Sequence, residues 1–291
     1  MGRIMAAAGQ VGSLRAVPFI AKIMCLIIAG IAAHPTYALV IAANRDEFYA
    51  RPAQPARFWQ DAPHVLAGRD ETAGGTWMGV TRSGRWAALT NYRAPNQYAP
   101  EAPSRGALVA DYLTGSAAPR TYAADVQARA ERFNGFNLLV GRGAAAYYVS
   151  NQIDDGPRAV GDGWHGLSNA VLDTPWPKVE RGLAVVPPAL AADDPVAALL
   201  QALNDRTRAP DEELPDTGVG RAEERLLSPM FIASDEYGTR CSTVLLLTHD
   251  GRVHFAERTY NRGARGTTRR FSFQCTQPPQ REPADASDVV A

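Results

Sequence analysis

The feature that most constrains this chain is the pair of apolar runs that begins at Cys25. Cys-Leu-Ile-Ile-Ala-Gly-Ile-Ala is rich in β-branched residues and stops at His34-Pro35-Thr36, and Tyr37 to Ala43 is apolar again. Two such runs about a turn read as a buried strand and its antiparallel hairpin partner. The second run passes directly into Asn44-Arg45-Asp46-Glu47, four polar residues of which three are charged, and then Phe48-Tyr49. The hairpin therefore returns a charged cluster beside the cysteine that opens it.

Downstream, Arg45 to Ala73 carries Pro52, Pro55, Pro63 and Gly68 with little periodicity and is expected to be a long surface loop. Gly74 to Val80 and Arg85 to Asn91 read as strands joined at Ser83-Gly84, a two-residue turn. Helical spacing follows, with Ser104 and Thr121 as expected caps of helices through Tyr112 and Phe133. Phe136 to Val140 and Ala145 to Val149 return to strand character, Pro195 to Leu203 to helix. The charged stretch from Arg206 to Glu224 is expected to be a mobile loop. Thr239 to Leu247, Val253 to Arg258 and Arg270 to Phe273 supply closing strands. Strands, then helices, then strands in hairpins predict an α+β sandwich of mainly antiparallel sheets flanked by helices, not an alternating parallel fold.

Composition narrows the function. Thirty basic residues balance thirty acidic ones, so the field that gathers polyanions is lacking and nucleic acid is not an expected partner. A small neutral or amphipathic ligand fits better. No uncharged apolar stretch reaches the ~18–20 residues of a membrane-spanning helix, because Lys22 and His34-Pro35 bracket the most apolar run. Cys25, Cys241 and Cys275 are few, odd in number and far apart, which disfavours a disulfide framework and a CxxC-type zinc site. A reducing cytoplasm is the expected location; no cofactor or metal is expected, and the oligomeric state is left open.

Residues 1–24 hold Arg3, Arg15 and Lys22 without an acid. As a secretory leader they are poor, since Pro18 and Lys22 interrupt the apolar core. Bulky Ile23 and Met24 disfavour lipoprotein processing at Cys25. The expectation is that Met24 is the true start and residues 1–23 an upstream extension, with one domain over 24–274 and a disordered tail over 275–291. Removal of Met24 then puts the Cys25 thiol and a free α-amine on one residue. An α-amine titrating near ~7.7–8.0 can accept the thiol proton near neutral pH. That matters because none of the five histidines stands in a catalytic spacing with the cysteine.

Met-Cys-Leu-Ile at 24–27, Ala-Asn-Arg-Asp-Glu-Phe-Tyr-x-Arg-Pro at 43–52, Gly-Gly-Thr-Trp-Met-Gly at 74–79, Ala-Leu-Thr-Asn-Tyr at 88–92, Phe-Asn-Gly-Phe-Asn-Leu at 133–138 and Gly-Leu-Ser-Asn-Ala at 166–170 occur in this order. Over residues 24 to 273 the chain thereby resembles the NRDE family, the group that includes the animal transport-and-Golgi-organisation 2 proteins. That family resembles in layout the N-terminal-nucleophile (Ntn) cysteine amidohydrolases, which implies a four-layer αββα sandwich. The layout also implies roles for Cys25 as nucleophile and for Arg45, Asp46, Asn91, Asn169 and Arg240 around it. Asp46 follows Arg45 immediately, where those enzymes usually leave a gap of two residues. As a residue type, a side-chain amide near the nucleophile suits an oxyanion, and an arginine suits a thiolate or a carboxylate. The resemblance implies two functions: hydrolysis of a carbon–nitrogen bond in a small acyl compound, or non-catalytic carriage of a haem-like, lipid or acyl-CoA ligand.

Overall fold

The structure, a computed structural model, describes residues 25–277. In chain order the strands and helices are β1 (Cys25–Ile31), β2 (Tyr37–Phe48), β3 (Ala53–Phe58), β4 (Val65–Asp70), β5 (Met78–Thr81), β6 (Arg85–Asn91), α1 (Gly106–Thr114), α2 (Pro119–Gln127), β7 (Phe136–Arg142), β8 (Ala145–Ser150), β9 (Arg158–Ala159) and β10 (Gly163–Leu167). They continue with α3 (Pro177–Ala189), α4 (Pro195–Ala202), α5 (Arg221–Leu227), β11 (Tyr237–Thr248), β12 (Arg252–Asn261) and β13 (Ala264–Gln274). One sheet runs in the order β10-β1-β2-β11-β12-β13 and the other β3-β4-β5-β6-β7-β8-β9, with every named pairing antiparallel.

Alternation along the strands builds three apolar layers. Ile27, Ile41, Leu245 and Phe255 of the first sheet meet Leu66, Val80, Trp86 and Leu139 of the second in the central core. On the outer face of the second sheet, Val109, Tyr112, Tyr122 and Val126 of α1 and α2 pack on Ala87, Leu138 and Val149. On the outer face of the first, Val179, Val186, Leu199 and Leu200 of α3 and α4 pack on Leu26, Val40, Ala42 and Val244. The result is the α+β, four-layer αββα order expected from the sequence.

Several local expectations change. The strand expected to end at Ala43 continues to Phe48, with Asn44, Arg45, Asp46 and Glu47 all buried in it. The expected loop from Arg45 to Ala73 holds β3 and β4. Pro55 is tolerated because β3 is an edge strand and its register with β4 shifts between Gln54 and Arg57, where no ladder N–H is needed. The first helices start at Gly106 and Pro119 without a side-chain cap, so Ser104 and Thr121 do not cap them. The second ends at Gln127, and a short 3₁₀ turn at Ala130–Arg132 follows. The segment 206–224 is tied down at its far end, where Glu224 lies buried against Arg93. Helix α3, which begins with Pro177 and ends in Pro187-Pro188-Ala189, is absent from the sequence expectations; it buries Val179, Gly182 and Val186 on one face.

The expected start at Met24 and the segment 1–23 lie outside the described residues. Of the expected tail, the Cys275 and Thr276 amides donate to Gly251 and Arg82 carbonyls at 2.8 Å, and residues 278–291 lie outside the description. Among the described residues no helix is long and apolar enough to cross a membrane.

Candidate active site

Register places the first residues of the site. Cys25 opens β1 opposite Arg45 of β2, and Cys241 of β11 lies opposite the same arginine on its other side. Leu39, Ile41 and Ala43 of β2 face the central core, so Arg45 and Glu47 emerge on that side too; Val40, Ala42, Asn44 and Asp46 face the helical layer. Ile27 and Ala29 face the central core as well, which directs Cys25 to the same side as Arg45. The apolar filling between the sheets gives way there to an open cavity of about 370 Å³. Its walls include Cys25, Arg45, Asp46, Asn91, Trp77 and Arg105.

Four charges brace one side of this cavity. Arg45 Nη2 lies 3.4 Å from Asp70 Oδ2 and 3.7 Å from Glu47 Oε2; Arg51 Nε lies 2.6 Å and 3.7 Å from the same two oxygens. The Arg45 guanidinium also sits over Trp77, 4.3 Å from the ring centroid. Burial pushes the Asp70 carboxyl up, but the Arg51 hydrogen bond, the Ala73 amide and both arginines outweigh it, so Asp70 is held below the usual carboxylate range. Two cations and two anions thus cancel, and Arg45 Nη1 is left without a hydrogen-bond partner among the described residues.

Around Cys25 the polar groups act on backbone atoms. The Cys25 nitrogen donates to Asn169 Oδ1 at 3.4 Å, and Ser168 Oγ donates to the Cys25 carbonyl at 2.9 Å. Asn169 Nδ2 donates to the Asn91 carbonyl at 2.7 Å, an acceptor that fixes the amide so that its oxygen faces Cys25. Asn91 itself, at the end of β6, lines the cavity. Burial first, and the Asp46 charge second, push the Cys25 thiol up to about 12; the Asp46 backbone N–H and Arg45 oppose them. With its nitrogen in a peptide bond, this thiol is a poor nucleophile at neutral pH.

Asp46 accepts from Thr239 Oγ1 at 2.6 Å on the helical side of β2, and its other oxygen has no partner among the described residues. Burial raises its pKa to about 6, against the pull of Lys178 and the Thr239 bond. Lys178, near the start of α3, is buried with its Nζ likewise unpartnered, and burial lowers it to about 8. Arg240 sits at the β-bulge between Thr239 and Cys241 and donates to the Phe48 and Arg51 carbonyls at 2.7 and 2.8 Å. It braces the chain leaving β2 and is not among the cavity walls.

Of the six residues singled out in the sequence, Cys25, Arg45, Asp46 and Asn91 therefore border one cavity, Asn169 touches Cys25 from behind, and Arg240 acts on the adjoining backbone. Glu47 and Arg51 lie in the 43–52 motif and have no role among the sequence expectations, and Asp70, Arg105 and Lys178 join the site without any sequence signal. A charged residue pairing across 25 positions, as Arg45 does with Asp70, leaves no local period to read. Among the described residues no group of three or more metal-ligating side chains converges.

The family model described as Transport and Golgi organisation 2 matches residues 24–262. The Bos taurus Transport and Golgi organization protein 2 homolog is 38% identical over 264 residues, covering 81% of this chain and 93% of the relative. The Homo sapiens homolog is 36% identical over 258 residues with the same coverage. Among solved structures, a Caenorhabditis elegans N-acylethanolamine-hydrolyzing acid amidase ortholog aligns with a TM-score of 0.44 at 9% identity, over 76% of this chain and 92% of its own. A mutant conjugated bile acid hydrolase from Clostridium perfringens aligns with a TM-score of 0.42 at 8% identity, over 88% and 99%.

Proposed function

This chain belongs to the Transport and Golgi organisation 2 family, and from that premise we propose that it is a cysteine hydrolase that cleaves the amide bond of a small acyl compound, with Cys25 as nucleophile. The observation that carries the reading is the placement of Cys25 at the edge of a cavity that Arg45 and Asn91 also line, with the Cys25 nitrogen turned to Asn169 Oδ1.

In this reading the chain is processed so that Cys25 carries a free α-amine. Asn169 and Asp46 hold that amine, which takes the thiol proton. The thiolate adds to the substrate carbonyl, and the Asn91 side-chain amide donates to the resulting oxyanion. The tetrahedral adduct then collapses to a thioester as the carbon–nitrogen bond breaks and the leaving amine takes the proton from the α-ammonium. Water, deprotonated by the α-amine, hydrolyses the thioester and restores Cys25. Asn169 serves the amine here more than the oxyanion, since one of its N–H groups is bound to the Asn91 carbonyl.

A specific observation favours a second reading. With Cys25 inside a longer chain its thiol is pushed up to about 12, and the same cavity then holds an acyl, lipid or haem-like ligand without reacting. Incubating a chain that begins at Cys25 with a panel of acylated amines and measuring amine release separates the two. Release abolished by Cys25→Ala supports the hydrolase; saturable binding of the same compounds without release supports the carrier.

A further inference from the structure

Arg105 stands apart from the paired charges of the cavity. It immediately precedes α1, and its Nη1 donates to the Gly135 carbonyl at 2.8 Å, the one hydrogen bond its guanidinium makes among the described residues. Where Arg45 and Arg51 share Glu47 and Asp70, Arg105 has no carboxylate within ion-pair distance among the described residues. Three guanidinium groups and three carboxylates line the cavity; Glu47 and Asp70 are engaged by Arg45 and Arg51, and Asp46 is bonded to Thr239, so Arg105 is the guanidinium there without a carboxylate at ion-pair distance among the described residues. Burial lowers Arg105 to about 10, which still leaves it protonated at neutral pH.

A second feature points the same way. The nine-residue helix α1 has no side-chain cap and no acid in its first turn, and its start, Ser104-Arg105-Gly106, forms part of the cavity wall. Its positive end is therefore presented to the cavity beside the unpaired guanidinium. The position is fixed by tight backbone packing: Thr76 N donates to the Gly106 carbonyl at 3.2 Å, and a Cβ on Gly75 would come within 2.5 Å of the Gly106 backbone. Trp77, Leu89, Tyr98 and Pro103 give the same cavity an apolar wall.

We infer that the cavity beside Cys25 selects ligands that combine a short apolar acyl chain with one carboxylate, and that Arg105 with the first turn of α1 seats the carboxylate. The inference rests on the reading of this cavity as the substrate site, but not on turnover there. Its general ground is that a half-buried guanidinium facing a carboxylate makes charge-assisted, often bidentate, hydrogen bonds that a neutral ligand cannot replace.

The test is equilibrium binding to the full chain and to a chain beginning at position 25, each carrying Cys25→Ala so that no ligand is consumed. The probes are N-octanoylglycine, octanoate and the neutral N-octanoylglycinamide. N-octanoylglycine or octanoate should bind tighter than the glycinamide by about 10-fold to 100-fold, and Arg105→Gln should remove most of that difference by weakening the charged probes far more than the glycinamide. Preference for N-octanoylglycine places the carboxylate on the amine half of the ligand, and preference for octanoate places it on the acyl half. Equal binding of charged and neutral probes to the unaltered Arg105 chain overturns the inference, whatever the variant does. Anion preference without amine release from the unsubstituted cysteine chain would uphold it and remove the hydrolase reading; release with no dependence on Arg105 would do the reverse.

Discussion

The two halves of β2 are equally buried and chemically opposite. From Ala38 to Ala43 the strand is apolar on both faces, feeding the central core with Leu39 and Ile41 and the helical layer with Val40 and Ala42. From Asn44 to Glu47 the same pleat continues, but each buried side chain is polar, and three of the four find partners on distant elements. Asn44 donates to the Leu203 and Met230 carbonyls at 2.9 and 2.7 Å and accepts from Ser242 at 2.6 Å; Arg45 reaches Asp70; Asp46 reaches Thr239. The first half stabilises by removing apolar surface from water. The second half costs desolvation that is only partly recovered, and such a cost is tolerated where the charges serve a site.

That contrast can be broken at either end. The largest effect is expected from Ile41→Ala in the apolar half, which should lower unfolding free energy by about 2–5 kcal/mol in chemical denaturation yet leave Cys25 labelling unchanged below the transition. Asn44→Ala should cost about 1–3 kcal/mol, because it leaves the buried Leu203 and Met230 carbonyls without a donor. A similar cost from Ile41→Ala and a loss of labelling together would show that the halves are not separable.

Asp46 sharpens the comparison through pH. Its folded pKa, about 6, lies above the ordinary 3.8, so the folded state holds the extra proton between those values. Its contribution to stability is therefore complete below about 3.8 and is lost as pH rises through about 6. Asp46→Asn should gain on the unaltered protein across that window by on the order of 1 kcal/mol or more, read from denaturation midpoints at several pH values. A flat difference would mean that Asp46 is already compensated. The smallest effect is expected from Lys178→Met, which removes a nearby positive charge and should move the Asp46 carboxyl further up, a shift that carboxyl-resolved nuclear magnetic resonance would detect.

The same contrast explains what was legible in the sequence. Apolar periodicity and the turn at His34-Pro35-Thr36 are local signals, so the β1–β2 hairpin and the sandwich class could be read directly. Asn44 to Glu47 looked like the end of a strand because charge usually marks solvent; nothing local said that Asp70, Thr239 and Met230 would arrive to bury it. The cysteine and its arginine were found through that odd string, and Asn91 and Asn169 through the family resemblance. Lys178 and Arg105 leave no such trace, since a lysine after Trp176-Pro177 becomes unusual only when its burial is known, and an arginine before Gly106 only when the cavity it lines is known.

The central claim is that the polar end of this hairpin holds a cysteine that a free α-amine can activate. Its most direct test is the rate of alkylation at Cys25, located by intact-mass and peptide mass spectrometry, as a function of pH in two proteins: one beginning at Cys25 and one retaining residues 1–24. The account predicts labelling near neutral pH only in the first, with an inflection near the α-amine range of about 7.7–8.0. Equal, slow labelling of both up to high pH would contradict it and leave the cavity as a binding site.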